Sequence, residues 1–304
     1  MKDKSKIEEY DYHNPVLRDL TIDYLISDTS GIYIDGTLGG GGHAAEILRR
    51  LEFRGKLMAF DMDVNAIEHC HTIFQKEEDA QRLEIYNYCF MKARLIAEQK
   101  YGKINGLLLD LGVSSMQLDS TAIGLSYRVD SDLDMRFGSE GKTAKELLNE
   151  SDEDELLFIL RSYGEEPNAR AIARRIIERR RLDAMKTTFD LRSAVEEVTP
   201  EKFRTKALSR VFQAVRIAVN DELDVLQKTL VDIIPILVPG GRIVVMSYHS
   251  LEDRIVKEVF KEYSTKENPQ LKILTKKPII ADEEEMKRNP RSRSVKIRVA
   301  EKNG

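Results

Sequence analysis

Four consecutive glycines follow a short apolar segment near the start of the chain, in the sequence Asp35-Gly-Thr-Leu-Gly-Gly-Gly-Gly-His43. Glycine lets a backbone turn sharply and lets a ligand approach closely, and a helix beginning at His43 would present free N–H groups in its first turn. The spacing of Gly39, Gly41 and Ala44 also fits the turn that binds dinucleotides. The glycines therefore indicate a nucleotide-like ligand without identifying it.

Three carboxylates narrow the choice, because Asp35, Asp61 and Asp110 each end a predicted strand. A carboxylate at Asp35 suits a ligand that carries an ammonium group, as the methionine part of S-adenosylmethionine (SAM) does, and would repel a pyrophosphate. Asp61 falls where α/β nucleotide-binding folds hold ribose hydroxyls, and Asp110 lies beside the expected topological switch point. The pattern favours SAM, and a nicotinamide-dependent oxidoreductase stays the first alternative.

The two cysteines bear on which atom could accept a methyl group. Methylation of a pyrimidine at C5 needs a cysteine nucleophile, but Cys70 and Cys89 follow the second and third strands rather than the strands ending at Asp110 and Tyr248. An exocyclic amine needs only positioning and hydrogen-bond acceptors, which Asp110–Ser115 could supply. The sequence therefore favours an amine target. The cysteines form no C-x-x-C pair, so we expect a reducing cytoplasm and neither a zinc site nor a disulfide framework.

The elements that would position these residues alternate between strand and helix in the first third of the chain. Strands are predicted at 31–35, 56–61, 83–86 and 104–110, with helices at 43–51 and 65–74. From residue 114 to 206 only helices are predicted, at 143–149, 152–161, 168–181 and 189–198. Such alternation predicts a parallel sheet with helices on both faces.

Alternation returns after the helical region, with a helix at 208–234, a strand at 242–248, a helix at 251–263 and strands at 271–274 and 295–300. We therefore predict an α/β fold with a Rossmann-like, mostly parallel, doubly wound core of the SAM-dependent methyltransferase type. The core would comprise residues 1–113 and 207–304. An inserted all-helical domain would occupy residues 114–206.

Longer motifs closely resemble one bacterial family. They run through most of the chain: His13–Leu17, Tyr33–His43, Asp110–Asp119, Leu133–Arg136, Tyr163–Glu166, Phe212–Ile217, Val219–Leu223, Ser247–Arg254 and Asn289–Ser294. With these motifs the chain resembles the RsmH/MraW family, the 16S rRNA (cytosine-N4)-methyltransferases. The resemblance implies a SAM-dependent enzyme that methylates N4 of a cytidine in the decoding centre of the small ribosomal subunit.

The resemblance also implies roles for individual residues. SAM contacts would fall on Gly41, Gly42, His43, Asp61, Phe90, Asp110 and Gln117, to which the glycine turn adds Asp35 and Gly39. Phe90 would lie near the adenine, and Asp110 would orient the target amine or the cofactor. We expect no metal site.

Basic residues cluster locally although the net charge is −4. In the predicted helix Asn168–Arg181, one apolar stripe must face inward, which leaves Arg170, Arg174 and Arg181 on the outer face. We predict that this face of the inserted domain holds RNA by phosphate contacts and that Lys287–Arg298 adds a second basic rim. A solvated face without a partner is the alternative for each cluster.

Two further functions stay open. The first is a non-catalytic RNA-binding protein on a vestigial SAM fold, against which the set Asp35, Asp61, Asp110 and Gln117 argues. The second is a methyltransferase acting on DNA or protein, which only the resemblance disfavours. No apolar run reaches about 18 residues, so no membrane span is expected. We expect a cytoplasmic enzyme, which could be a homodimer, whose partner is 16S rRNA within the assembled subunit.

Overall fold

A computed structural model describes residues 15–113 and 123–304, which divide into two compact units. The first contains the described residues up to Gly112 together with Val225–Gly304, and the second is Val113–Asp224. The second unit therefore extends beyond the boundary at residue 206 that the sequence suggested. The reason is the long helix Glu201–Asn220, whose apolar side chains join the hydrophobic core of that unit.

A seven-stranded sheet forms the centre of the first unit. Its strands are β1 (Ile32–Asp35), β2 (Lys56–Phe60), β3 (Leu83–Tyr86), β4 (Ile104–Asp110), β5 (Leu237–Ser247), β6 (Leu271–Ile273) and β7 (Lys296–Lys302). The spatial order is β3-β2-β1-β4-β5-β7-β6. The first five strands are parallel, and β7 is antiparallel to both β5 and β6. This topology confirms the predicted doubly wound, mostly parallel sheet.

Helices flank this sheet. They are α1 (Arg18–Leu25), α2 (Gly42–Arg50), α3 (Val64–Ile73), α4 (Gln75–Asp79), α5 (Ala93–Tyr101), α11 (Glu222–Ile233, whose first residues belong to the second unit), α12 (Ser250–Glu262) and α13 (Glu283–Arg288). Alternate residues of the central strands enter two separate hydrophobic clusters, Leu108 and Val244 in one and Leu107 and Val245 in the other. Burial of both faces explains why these strands are almost continuously apolar.

The regular secondary structure of the second unit's described residues is all helical, apart from an isolated bridge between Asp132 and Thr187, and residues 123–143 form turns and irregular loops. Its helices are α6 (Ala144–Glu150), α7 (Glu153–Ser162), α8 (Ala169–Leu182), α9 (Thr188–Val198) and α10 (Glu201–Asn220). Thr143 and Thr187 begin α6 and α9 with reciprocal capping boxes, which satisfy free N–H groups. The predicted apolar stripe of α8 is buried except at Ile177, which is half-buried.

Two expectations about the second half of the chain were wrong. The single helix predicted at 208–234 is two helices, α10 and α11, because Asp221 adopts a left-handed conformation with φ 49° and ends α10. Strand β5 begins at Leu237 rather than Arg242. Leu237 pairs with Ile104 and Arg242 pairs with Gly106, so the register of β4 and β5 shifts between these two pairs. Pro239 therefore lies inside β5 and not before it.

No helix among the described residues is both long enough and apolar enough to cross a membrane.

Candidate functional site

The end of β1 places Asp35 in the interior of the first unit. Its side chain is fully buried, and Oδ1 accepts a hydrogen bond from the Thr37 amide at 3.1 Å. Oδ2 is buried without a hydrogen-bond partner among the residues that the structure describes. Burial raises the pKa of Asp35 to about 7, with smaller increases from the nearby charges of Asp110 and Asp61. Because an unpaired buried carboxylate is costly, this oxygen is well suited to a cationic ligand.

Asp61 follows β2 and joins it to the glycine turn. Its Oδ2 accepts a hydrogen bond from the Gly39 amide at 2.7 Å, and Oδ1 accepts one from the Asp63 amide at 2.9 Å. Burial raises the pKa of Asp61, against the effect of these hydrogen bonds. An ionised carboxylate has about four acceptor positions, so Asp61 keeps capacity for ligand hydroxyl groups.

The three glycines predicted to bind the cofactor differ in what they contact. Gly41 has a φ of 82°, and a Cβ there would lie 2.6 Å from the Phe74 ring. A Cβ on Gly42 would lie 2.3 Å from Pro15 Cγ. At Gly39, with φ 49°, the nearest atom to such a Cβ is the Thr37 carbonyl oxygen, 4.0 Å away. Packing therefore explains Gly41 and Gly42, whereas Gly39 faces space that a ligand could fill.

Asp110 ends β4, next to β1 and β5. Its amide donates a hydrogen bond to Thr37 Oγ1 at 2.7 Å, and its Oδ1 accepts one from the Tyr248 hydroxyl at 2.7 Å. The Oδ2 atom lies 3.6 Å from His43 Nδ1. Burial raises the pKa of Asp110, while His43 and the Tyr248 hydrogen bond act in the opposite direction. Asp110 is thus a half-buried carboxylate held at a defined position.

His43 lies in the first turn of α2 and is buried. Its Nε2 has no hydrogen-bond partner among the described residues. Burial lowers the pKa of His43, which keeps the imidazole neutral near pH 7, although the Asp110 charge acts against this. His43 therefore adds a polar but uncharged group beside Asp110.

The remaining predicted cofactor contacts are Phe90, which the structure describes, and Gln117, which it does not. Phe90 begins a short 3-10 turn after β3, is half-buried and packs against the cluster that contains Ile34 and Leu109. It lies beside the loop after β1, since a Cβ on Gly36 would be 3.0 Å from Phe90 Cβ. Gln117 lies outside the described residues. Contact between Phe90 and an adenine stays a prediction.

Sequence reasoning missed the site roles of Thr37 and Tyr248. Thr37 connects two strand ends, because its amide donates to Asp35 and its hydroxyl accepts from the Asp110 amide. No periodic pattern marks such a residue within a glycine turn. The sequence did contain a signal that Tyr248 belongs to the site, because this residue directly follows β5, the strand paired with β4.

The arginines of the two basic segments form more ion pairs with acidic side chains than the sequence suggested. On α8, Arg174 contacts Glu153, and both Arg175 and Arg179 contact Glu197. Arg170, Arg174 and Arg181 are exposed, as predicted. In the second segment, Arg298 is buried and binds Asp253 through its Nε at 2.6 Å. Arg298 is therefore not part of a solvent-facing basic rim.

The sheet order, the glycine turn and the strand-end carboxylates define the class of protein. They form the Rossmann-like core of SAM-dependent methyltransferases, and the carboxylate acceptors fit a ligand carrying ammonium and hydroxyl groups. The family model of the MraW methylase family matches residues 11–303. The chain belongs to the MraW methylase family and is a SAM-dependent methyltransferase.

Relatives match over almost their full length. A protein of Heliobacterium modesticaldum named ribosomal RNA small subunit methyltransferase H is 42% identical over 308 residues, covering 96% of this chain and 98% of the relative. A protein of the same name from Flavobacterium johnsoniae is 41% identical over 302 residues, with 96% and 98% covered.

Solved structures resemble the chain more distantly. A putative rRNA methylase from Clostridium thermocellum has a TM-score of 0.45 and 10% identity, with 94% of this chain and 93% of that chain covered. A putative methyltransferase from Streptococcus mutans, in complex with SAH, has a TM-score of 0.41 and 11% identity, with 94% of each chain covered.

Proposed function

We propose that this protein transfers the methyl group of SAM to N4 of a cytidine in the decoding centre of 16S rRNA, within the assembled small ribosomal subunit. The observation that carries the proposal is the cluster of the buried Asp35 with the half-buried Asp61 and Asp110, in a chain whose relatives are named small-subunit rRNA methyltransferases. We place the reaction in the cytoplasm and leave a homodimer as a further expectation.

Different residues would bind different parts of SAM. The Oδ2 atom of Asp35, which has no partner in the described part of the chain, would accept from the ammonium group, and Asp61 would accept from ribose hydroxyls. Gly39 would leave room for the ligand, and Gly41 and Gly42 would shape the turn. His43, Phe90 and Gln117 would complete the contacts.

The chemistry of the chain favours an amine target. SAM would supply an electrophilic methyl group: a carbon–nitrogen bond forms, a carbon–sulfur bond breaks with its electrons left on sulfur, and the amine gives up one proton. Asp110 would orient the amine and accept this proton. The alternative at C5 needs a thiolate, but burial raises the pKa of Cys70 to about 12 and also raises that of Cys89.

RNA recognition is assigned to the second unit in this proposal. The exposed Arg170, Arg174 and Arg181 of α8 would contact phosphates. Such contacts would strengthen affinity without selecting the sequence.

Nucleoside analysis of small-subunit rRNA tests the proposed function in cells. Deletion of the gene should remove one N4-methylcytidine from the decoding centre, and the wild-type gene should restore it, whereas an Asp35→Ala variant should not. An unchanged nucleoside profile in the deletion strain would refute the assignment.

A further inference from the structure

We propose that Tyr248 is a positioning residue for methyl transfer, acting by holding the Asp110 carboxylate through its phenol hydroxyl. The inference rests on the proposed function, in which Asp110 orients the target amine and accepts the proton that the amine loses. It assigns a role to Ser247–Arg254, a segment outside the predicted cofactor contacts.

The contact between these residues links two adjacent parallel strands at their carboxyl ends. The Tyr248 hydroxyl donates to Asp110 Oδ1 at 2.7 Å, a short charge-assisted hydrogen bond. The strands do not need this bond to stay paired, because the Leu111 amide donates to the Met246 carbonyl at 3.0 Å. The phenol therefore acts on the carboxylate itself rather than on the strand pairing.

The backbone of Tyr248 is held by the helix that follows it. Glu252 is only 3% exposed, and its Oε2 accepts hydrogen bonds from the Tyr248 amide at 2.8 Å and the His249 amide at 3.3 Å. His249 begins α12 in a reciprocal capping box with Glu252. A side chain on such a supported turn can present its hydroxyl at a constant place, which catalytic positioning requires.

A second anchor lies one residue further along α12. Asp253 accepts hydrogen bonds from Arg298 Nε at 2.6 Å and from Lys296 Nζ at 3.3 Å, both on β7. Arg298 and Asp253 are largely buried, which favours a fixed geometry for this pair. The first turn of α12 is thus held to the sheet on the side away from Asp110's own strand.

Several charged and titratable groups surround the Asp110 carboxylate. His43 approaches from α2, Asp35 from β1, Glu252 from α12 and Tyr248 from the turn after β5. The Tyr248 hydrogen bond favours the ionised form of Asp110, whereas burial and the charge of Glu252 disfavour it. Loss of the hydroxyl should therefore raise the pKa of Asp110 and leave less of it able to accept a proton.

The variant Tyr248→Phe tests the inference, because it removes one oxygen and keeps the ring beside Gly112. We expect SAM affinity by calorimetry to stay within about twofold and single-turnover methylation of small subunits to fall at least about tenfold. The acid limb of the rate–pH profile should move to higher pH. Unchanged rates and an unchanged profile would overturn the inference.

Tyr101→Phe is the matched control, since it deletes a phenol that also donates to a carboxylate, that of Glu84. Tyr101 ends α5, outside the described cluster of candidate site residues. This control should keep the wild-type rate and profile. A fall equal to that of Tyr248→Phe would mean that loss of any such buried bond slows the enzyme, and the inference would be wrong.

A double variant separates positioning through Asp110 from an independent effect. If Tyr248 acts through Asp110, adding Tyr248→Phe to Asp110→Asn should lower the rate no further than Asp110→Asn alone. If the rate losses of the two single variants multiply in the double variant, the inference is contradicted. Failure of the proposed function would appear differently, as a wild-type protein that binds SAM but does not methylate cytidine N4 in the subunits.

Discussion

The three strand-end carboxylates differ in the hydrogen bonds that they accept from the rest of the protein. Asp61 accepts two backbone hydrogen bonds, and Asp110 accepts one from a phenol. Asp35 accepts one from an amide, and its other oxygen is buried without a partner among residues 15–113 and 123–304. Asp35 is therefore the residue whose ionised state depends most on a bound cation.

Removal of the Asp61 carboxylate should weaken SAM binding. We expect Asp61→Ala to cost about 1.5–3 kcal/mol, the range for hydrogen bonds to a charged group. Asp79→Ala, which removes an exposed carboxylate on α4, is the control and should bind normally. Calorimetry on folded variants measures both, and equal affinity in Asp61→Ala and wild type would exclude the ribose assignment.

The raised pKa of Asp35 predicts how stability depends on pH. The unfolded carboxyl titrates near 3.8 and the folded one near 7, so the folded state retains a proton that the unfolded state has lost between these values. The contribution of Asp35 to the free energy of unfolding should be largest below 3.8, fall as pH rises and level off above about 7. Urea unfolding of the ligand-free proteins measures this contribution as the difference in stability between wild type and Asp35→Asn, which should change with pH in this way.

SAM binding should show the opposite trend, because the ionised form of Asp35 is the one that attracts an ammonium group. Affinity should rise as pH increases through the pKa of Asp35, about 7, and Asp35→Asn should bind weakly without this rise. A variant that gains stability near pH 8 while losing SAM affinity would fit both expectations. Equal pH dependence in wild type and Asp35→Asn would contradict them.

The cysteines should be dispensable for chemistry. Cys70 Sγ contacts the Gly39 carbonyl at 3.4 Å, so its replacement could loosen the glycine turn. A Cys70→Ala, Cys89→Ser variant should nevertheless keep its turnover at saturating SAM, since amine methylation needs no covalent adduct. Loss of turnover in a folded protein, or an adduct with 5-fluorocytidine RNA, would indicate C5 chemistry instead.

At the scale of elements, α8 combines an inward apolar face with exposed arginines. Reversing Arg170 and Arg174 to Glu should weaken binding to small subunits and reduce its salt dependence, by roughly 0.7–0.9 in the log–log slope for each phosphate that is no longer neutralised. SAM binding should not change. Lys142→Glu with Lys145→Glu changes the charge of the same unit equally, on exposed residues near and within α6. If both pairs behave alike, α8 has no special role.

The strands of the sheet were predictable because burial on both faces leaves a clear apolar signature. Leu107 and Leu108, neighbours in β4, belong to different hydrophobic clusters, so both positions must be apolar. The break between α10 and α11 had no such signature. Asp221 takes a left-handed conformation without a glycine or proline nearby, a state that aspartate adopts only occasionally and that its residue type alone does not predict.

The candidate site was predictable only where it follows the ends of strands. Asp35, Asp61 and Asp110 could be placed because parallel strands bring their carboxyl ends to one edge. The Tyr248 contact with Asp110 joins residues 138 positions apart and depends on how the turn after β5 is held. Such a contact is a product of packing, which a single sequence does not display.

At the scale of the whole molecule, the chain consists of an α/β unit that contains the candidate cofactor site and a helical unit inserted in it. The carboxylates, the glycine turn and Tyr248 all belong to the first unit. The exposed arginines of α8 belong to the second. This division predicts that cofactor binding and RNA binding can be weakened separately by substitution.

Methyl transfer to purified small subunits tests the central claim most directly. Subunits from a strain lacking the gene would be incubated with the purified protein and SAM carrying an isotopically labelled methyl group, and the rRNA would then be digested and analysed by mass spectrometry. We predict one labelled N4-methylcytidine, in a decoding-centre fragment, with wild-type protein and none with Asp35→Ala. Label in 5-methylcytidine, in another nucleoside or in no rRNA product would contradict the account.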